Sequence, residues 1–406
     1  MRRIDWQSFA AGAAKLSRQE RRAAAIAGSA HALHDGYTDL IYIMLPLWQA
    51  EFGLSYAALG LLRSMFVGAM AGLQIPAGFL AERFGAAAVL AAGTALAGFG
   101  YCVAGLSTGF AMLLGALLIG GAGASTQHPI ASALVARAFA GPRSLRALGT
   151  YNFSGDLGKM TVPAALSLML LALPWRPALA VLGGLGLVLA IVIYVFTPRY
   201  ARAATADDRD ANGGKAQQSS AFAMLLAIGI LDSAARMGFL LFLPFVLTTK
   251  GASLQSIGLA MTLVFAGGAA GKLACAFIGA RIGAIATVWL TEGLTALGIV
   301  ALLPLPLPAA MMLLPLIGVA LNGTSSVLYG SVPDLVTADR RTRALSIFYT
   351  GTIGSGATAP MLFGRIGDAL GVSQALILVA AAALATLPVA TLLRPALARS
   401  YGAGTA

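Results

Sequence analysis

Charge is scarce in this chain. Only 10% of its 406 residues are Asp, Glu, Lys or Arg, while 58% are apolar. A soluble domain carries about a quarter charged residues, so the shortage excludes an ordinary water-soluble domain. Cysteine is nearly absent. Cys102 and Cys275 lie far apart in apolar stretches, too few for a disulfide framework, and read as small core residues. No GxxxxGK[ST] loop occurs, so nothing here is built to cradle ATP phosphates.

What the chain has in quantity is glycine, 49 residues, and hydrophobicity, with a mean hydropathy of +0.83. A membrane span needs about 20 apolar residues. Apolar segments near 23–48, 57–77, 86–106, 110–136, 147–171, 177–197, 222–247, 255–276, 284–303, 308–332, 345–364 and 374–393 predict an all-α protein with twelve transmembrane helices. The basic stretch 1–22 runs directly into the first of them, a segment too long and too polar for a signal peptide, and reads as retained. The one extended polar interruption, Thr197 to Ser220, reads as a linker. The expected divisions are therefore a cytoplasmic segment 1–22, a six-helix bundle 23–197, a linker 198–221, a second bundle 222–393 and a tail 394–406.

With a cytoplasmic N-terminus, most of the 27 lysines and arginines fall on the cytoplasmic side, so both termini are expected inside. Topology thus accounts for the net charge of +12 without a nucleic-acid partner. Arg63, near the outer end of the second segment, reads as a snorkelling or gate charge.

The sequence also repeats itself. A shift of 198 lays the stretch from Pro46 to Ala88 onto that from Pro244 to Ala286 without a gap, matching Pro46 with Pro244, Gly53 with Gly251, Gly60 with Gly258, Arg83 with Arg281 and Gly85 with Gly283. One deletion later, Arg146 and Pro163 meet Arg343 and Pro360. Six helices followed by six related ones in the same orientation predict two pseudo-symmetric bundles.

Parallel halves with a cytoplasmic linker resemble the major facilitator superfamily, and the local motif "GFLAERFG", Gly78 to Gly85, is similar to that family's loop between helices 2 and 3, with Glu82 where Asp is usual. The resemblance implies a conformational latch formed by Gly78, Glu82, Arg83, Gly85 and, in the second copy, Arg281. That copy has Ala280 in place of the acid. Within the superfamily, "HALHDGYTD" and "TQHPIASALVARAF" resemble the fosmidomycin-resistance branch of drug exporters, from which "SGDLGKMTVP" departs by carrying Asp156 and Lys159.

The first segment holds the densest polar chemistry. At 100° per residue, His31, His34, Asp35, Thr38, Asp39 and Tyr42 fall within an arc of about 140°. Ionisable groups are costly against lipid, so this stripe must face protein or a wet cavity. His34 and Thr38 superpose by the repeat on Asp232 and Arg236, so both halves aim polar groups at a common centre. Further cavity candidates are His128 before Pro129, the face shared by Asn152, Asp156 and Lys159, and Lys272, which must find an acid across the cavity. His128 also reads as a buried histidine beside a kink, and Asp156–Lys159 as a structural ion pair. Glu292 interrupts an otherwise uncharged ninth segment with no assignable partner.

These residues predict alternating access with no enzymatic activity and no cofactor. Asp35, Asp39, His31 and His34 would load a proton, and Tyr42, His128, Asn152, Asp156, Lys159, Asp232, Arg236 and Lys272 would line the substrate cavity. The expected partners are a small-molecule substrate, protons and the lipid bilayer. The protein is expected to be a monomer in an inner membrane, exporting small polar or amphipathic compounds. Uptake of a small organic anion through Lys159, Arg236 and Lys272 is the alternative, and export of a transition metal through the histidines and aspartates a third reading.

Overall fold

The computed structural model describes residues 16–139, 142–198, 220–336 and 340–403. Most of the linker and residues 1–15 of the N-terminal segment lie outside the described residues, as do 404–406 of the tail. Among the described residues there are fifteen α-helices, one 3-10 turn at Val332–Asp334 and no strand. In chain order the helices are α1 (Arg18–Phe52), α2 (Tyr56–Gly72), α3 (Gln74–Phe84), α4 (Ala86–Gly105), α5 (Phe110–Ala124), α6 (Gln127–Ala138), α7 (Pro142–Met169) and α8 (Trp175–Phe196). The second half contributes α9 (Ser220–Thr249), α10 (Leu254–Ile282), α11 (Ala284–Leu302), α12 (Leu307–Ser331), α13 (Arg341–Leu370), α14 (Val372–Leu384) and α15 (Thr386–Ala403).

Local chemistry sets several of these ends. Ser17 and Glu20 form a reciprocal capping box that starts α1, satisfying two otherwise orphaned amides. The segment expected at 110–136 is broken into α5 and α6 at Ser125–Thr126, which leaves Pro129 in the first turn of α6, where its missing N–H costs nothing. The second segment is likewise broken, α2 and α3 meeting at a bend of 45°.

Among the described residues eight helical stretches are long and apolar enough to cross a membrane, or nine with the bent α2–α3 pair counted as one. The expected count of twelve exceeds this. The long helices outside the set, α1, α7 and α13, are those whose apolar surface is broken by ionisable or small polar side chains. On α8 and α11 large apolar residues stand exposed, among them Val188, Ile191, Leu294 and Leu297. Such faces suit hydrocarbon, not water.

The backbone carries the repeat that the sequence predicts. Four of the five positive-φ glycines pair at the shift of 198: Gly53 (φ 62) with Gly251 (φ 85), and Gly85 (φ 92) with Gly283 (φ 84). Four of the six described in-helix prolines pair too, Pro46 in α1 with Pro244 in α9 and Pro163 in α7 with Pro360 in α13, while Pro315 and Pro395 have no counterpart.

The halves meet where α1 ends and α2 begins. There the Asp368 carboxylate of α13 accepts from the Tyr56 and Ala57 amides at 2.6 and 3.0 Å. A side chain at Gly60 of α2 would fall on the Pro360 carbonyl, and one at Gly364 on Tyr56. Alongside, Thr262 of α10 donates to the Met160 carbonyl of α7 at 3.1 Å.

Candidate functional site

A buried ionic network occupies the middle of the molecule, built mainly from α1. Its polar stripe turns inward: His31, His34, Asp35 and Asp39 are all buried. Helix α7 can approach because it carries glycine where the two backbones cross. A side chain at Gly158 would overlap the Ala32 carbonyl, and one at Gly155 the Asp35 carboxylate and His31 ring.

Around Asp35 the contacts are specific. His31 Nδ1 lies 2.8 Å from the Tyr151 carbonyl, which can only accept, so Nδ1 carries the hydrogen. Its Nε2 then faces Asp35 Oδ1 at 3.5 Å, with His34 Nε2 at 3.7 Å from the same oxygen. Lys159 Nζ is 3.3 Å from Oδ2. The His31 ring stacks on Tyr151 at 4.2 Å, and His128 from α6 sets its ring edge-on to His31 and His34 at 5.4 and 4.8 Å. One turn on, Asp39 faces Arg63 Nη2 at 3.5 Å, and the Arg63 guanidinium lies 5.0 Å above the Tyr42 ring. Tyr42 reaches the second half, donating to Met237 Sδ at 3.3 Å.

The structure corrects three readings of the sequence. Arg63 is not a snorkelling charge: it is 2% exposed and turned to the interior, because Asp39 and the Tyr42 face hold it there. Asp156 and Lys159 are not primarily each other's partners. They are 4.0 Å apart, while Lys272 of α10 reaches Asp156 Oδ1 at 2.6 Å and Lys159 leans to Asp35. Glu292 does have a partner. It is 1% exposed on the inner face of α11 and accepts from the Thr324 hydroxyl at 2.7 Å.

Lys272 finds its acid across the two halves, as expected, and Asp232 pairs with Arg236 at 3.0 Å. Asn152 is not drawn into the network; it stands exposed on α7. Of the latch residues, Gly85 adopts the left-handed conformation that glycine permits, while Glu82, Arg83 and Arg281 lie exposed at the ends of α3 and α10. The Arg83 guanidinium covers the Phe84 ring at 5.4 Å. A side chain at Gly78 would meet nothing.

Donor atoms of His31, Asp35 and His128 lie within 4.8 Å of one another, close enough to share a small cation. Lys159 already places a positive charge on the same carboxylate, which competes with a divalent ion there. Tyr151, Arg63 and Thr324 are site residues that sequence reasoning did not assign. A charge inside an apolar run signalled Arg63, but nothing in the sequence signalled a backbone carbonyl at Tyr151.

Apolar helices of spanning length wrapped around a buried ionic centre define an integral membrane protein. The chain belongs to the Major Facilitator Superfamily, whose family model matches residues 27–231 and again 225–403. It is 30% identical over 156 residues to the fosmidomycin resistance protein of Escherichia coli K12, covering 38% of each chain. It is 26% identical over 262 residues to the probable L-galactonate transporter of the same organism, covering 60% of this chain and 56% of that one. These alignments span less than two thirds of either relative's length. Among solved structures, an inward-facing, unoccupied bacterial homologue of the human lysosomal transporter Spinster superposes with a TM-score of 0.80 at 15% identity, over 95% of this chain and 98% of that one. The nucleoside transporter NupG gives 0.73 at 14% identity, over 93% and 99%.

Proposed function

We propose that this transporter is a proton-coupled exporter of small polar or amphipathic compounds, working by alternating access of two six-helix bundles, 23–197 and 222–393. In this reading twelve segments span an inner membrane, α2 with α3, α5 with α6 and α14 with α15 each forming one broken span. Both termini are cytoplasmic and the protein acts as a monomer. The closure between α2 and α13 then lies on the outer side.

The observation that carries the reading is the Asp35 carboxylate, buried on α1 and contested by His31, His34 and Lys159. A neutral His31 with hydrogen on Nδ1 turns a lone pair toward that carboxylate. A proton between Nε2 and Oδ1 removes the clash, so the pair binds a proton when isolated from water and releases it when Lys159 takes the carboxylate. One turn away Asp39 faces the Arg63 guanidinium at 3.5 Å. The fosmidomycin-resistance relative favours export. Uptake of an organic anion is the second reading, favoured by Lys159, Arg236 and Lys272 around one centre and by the sugar-acid relative. Glu82, Arg83 and Arg281 with Gly78 and Gly85 serve as the latch that governs switching.

Inverted membrane vesicles test this, with fosmidomycin as the probe for export and L-galactonate for the alternative. Asparagine keeps the shape of aspartate but cannot titrate. Asp35→Asn or Asp39→Asn should lower transport driven by an imposed pH gradient about a hundredfold, a loss of about 2.7 kcal/mol, while exchange at equal concentrations on both sides continues. Wild-type gradient response in both variants would refute the coupling assignment.

A further inference from the structure

Two arginines at the start of α1 are left without an acid. Arg18 and Arg22 stand one turn apart on the same face, both exposed, and among the described residues neither forms an ion pair. Glu20, between them in sequence, is already taken: one carboxylate oxygen accepts from the Ser17 amide at 2.7 Å and the other meets Arg143 at 2.9 Å. Like charges four positions apart repel, and in the first turns of a helix they also oppose the positive end of its dipole. An anion between the two guanidinium groups offsets both costs.

The structure has a place for that anion. Arg18 and Arg22 form one wall of a groove of about 350 Å³, and Val195 and Phe196 at the end of α8 form the other. Among the described residues no acidic side chain lines it. The neighbouring stretches of sequence bring no net negative charge either: residues 199–219 hold four basic side chains against three acidic, and residues 1–15 hold three against one. The anion must come from outside the chain.

The apolar wall shows what kind of molecule carries it. Val181, Leu185, Val188, Ile191 and Val195 follow one another three or four residues apart on α8, and all stand exposed. They form a single apolar stripe that runs along the helix and ends in the groove. With 22 residues, α8 is roughly 33 Å long, about the thickness of the hydrocarbon layer. Its last turn, with the exposed Tyr194, therefore lies where hydrocarbon gives way to headgroups. A molecule that fits has a negative charge at one end and an acyl chain at the other.

We infer that the groove between the first turn of α1 and the last turn of α8 binds one anionic phospholipid, its phosphate between Arg18 and Arg22 and an acyl chain along the α8 stripe. Guanidinium forks match phosphate oxygens and grip them in pairs. A zwitterionic lipid offers the same phosphate but sets an ammonium group beside the arginines, which forfeits part of the gain. The site lies at the far end of α1 from the closure between α2 and α13. It depends on neither the substrate, the coupling ion nor the direction of transport.

Native mass spectrometry of the delipidated full-length protein counts the lipids that stay bound, with dioleoylphosphatidylglycerol and dioleoylphosphatidylcholine at equal concentration as probes. The wild type should retain one phosphatidylglycerol in preference to phosphatidylcholine. Arg18→Gln or Arg22→Gln should weaken phosphatidylglycerol binding about fivefold, and the double variant about thirtyfold, the contribution of one and of two basic residues at a bilayer surface. Arg21→Gln removes the same charge from a position that does not line the groove and should leave binding unchanged. No preference for phosphatidylglycerol in the wild type overturns the site, as do equal losses in all three single variants, which would assign the effect to the basic flank as a whole. Displacement of the lipid by inorganic phosphate would mark a free-anion site and overturns the lipid. Stronger lipid binding when Asp207→Asn, Asp208→Asn and Asp210→Asn are made together would identify the linker as the occupant, and also overturns it.

Discussion

The two halves share a backbone and differ in their chemistry. Four positive-φ glycines and four in-helix prolines recur at matched positions, because a turn or kink in the wrong place would spoil packing in either half. The titratable side chains buried on that common frame differ between the halves. The first half surrounds Asp35 with imidazoles and an ammonium group, a set in which the carboxylate has alternative partners. The second half pairs Asp232 with the Arg236 guanidinium and gives Glu292 to the Thr324 hydroxyl. A duplicated scaffold thus constrains where polar groups project, and leaves open which ones they are.

The strongest way to break the comparison is to fill a glycine. Gly158→Ala places a methyl on the Ala32 carbonyl within the first half, where neither backbone can yield. It should cost about 3 kcal/mol, seen as a lowered melting temperature in detergent, and should splay α1 from α7. Gly60→Ala places its methyl on the Pro360 carbonyl of the other half. Here the halves can separate, so melting should change little while the outer ends move apart. Spin labels at Ser55→Cys and Ser373→Cys, with Cys102 and Cys275 replaced by serine, measure that separation. Equal melting losses for both glycines would mean that the halves form one rigid core.

A smaller effect tests the link between the halves. Asp156 and Lys272 are the ion pair that joins them, with Lys272 over a third exposed by side chain. Solvent screening therefore limits Lys272→Met to about 1 kcal/mol, since Lys159 remains near Asp156. Asp156→Asn leaves two ammonium groups facing each other and should cost about 2 kcal/mol. The swapped pair Asp156→Lys with Lys272→Asp should recover most of the loss in a double-mutant cycle of melting temperatures. Additive losses would show that the pair contributes nothing as a pair.

Much of this was legible in the sequence, for stated physical reasons. The stripe on α1 followed from helical period and from the cost of charge against lipid, and the cross-half role of Lys272 from the lack of an acid on its own helix. Arg63 was misread because nearness to a helix end does not say which way a side chain turns. Only the packing of α1 against α2 shows Asp39 beneath it. Glu292 was visible as an anomaly, but its partner Thr324 lies 32 positions on, in α12, and no periodicity connects the two. The breaks between α2 and α3 and between α5 and α6 were partly legible through Pro129 and otherwise depend on tertiary contacts.

The smallest expected effect concerns a contact with no counterpart in the repeat. Asp368 belongs to the second half and caps the first turn of α2 in the first, accepting from both the Tyr56 and Ala57 amides. A carboxylate at a helix N-terminus gains from the partial positive charge there, by about 0.5–1 kcal/mol when exposed. The contact exists only while the halves are closed at this end, so its energy enters the equilibrium between conformations and not the stability of either bundle. Asp368→Asn keeps an acceptor but loses the charge. It should move the closed-to-open ratio at that end by about threefold, which corresponds to about 0.7 kcal/mol, and Asp368→Ala should move it further. The Ser55–Ser373 spin-label distances report the ratio, and added salt should weaken the wild-type preference toward that of the Asn variant. If neither substitution changes the distance distribution, the cap is incidental and closure depends on the glycine contacts between α2 and α13 alone.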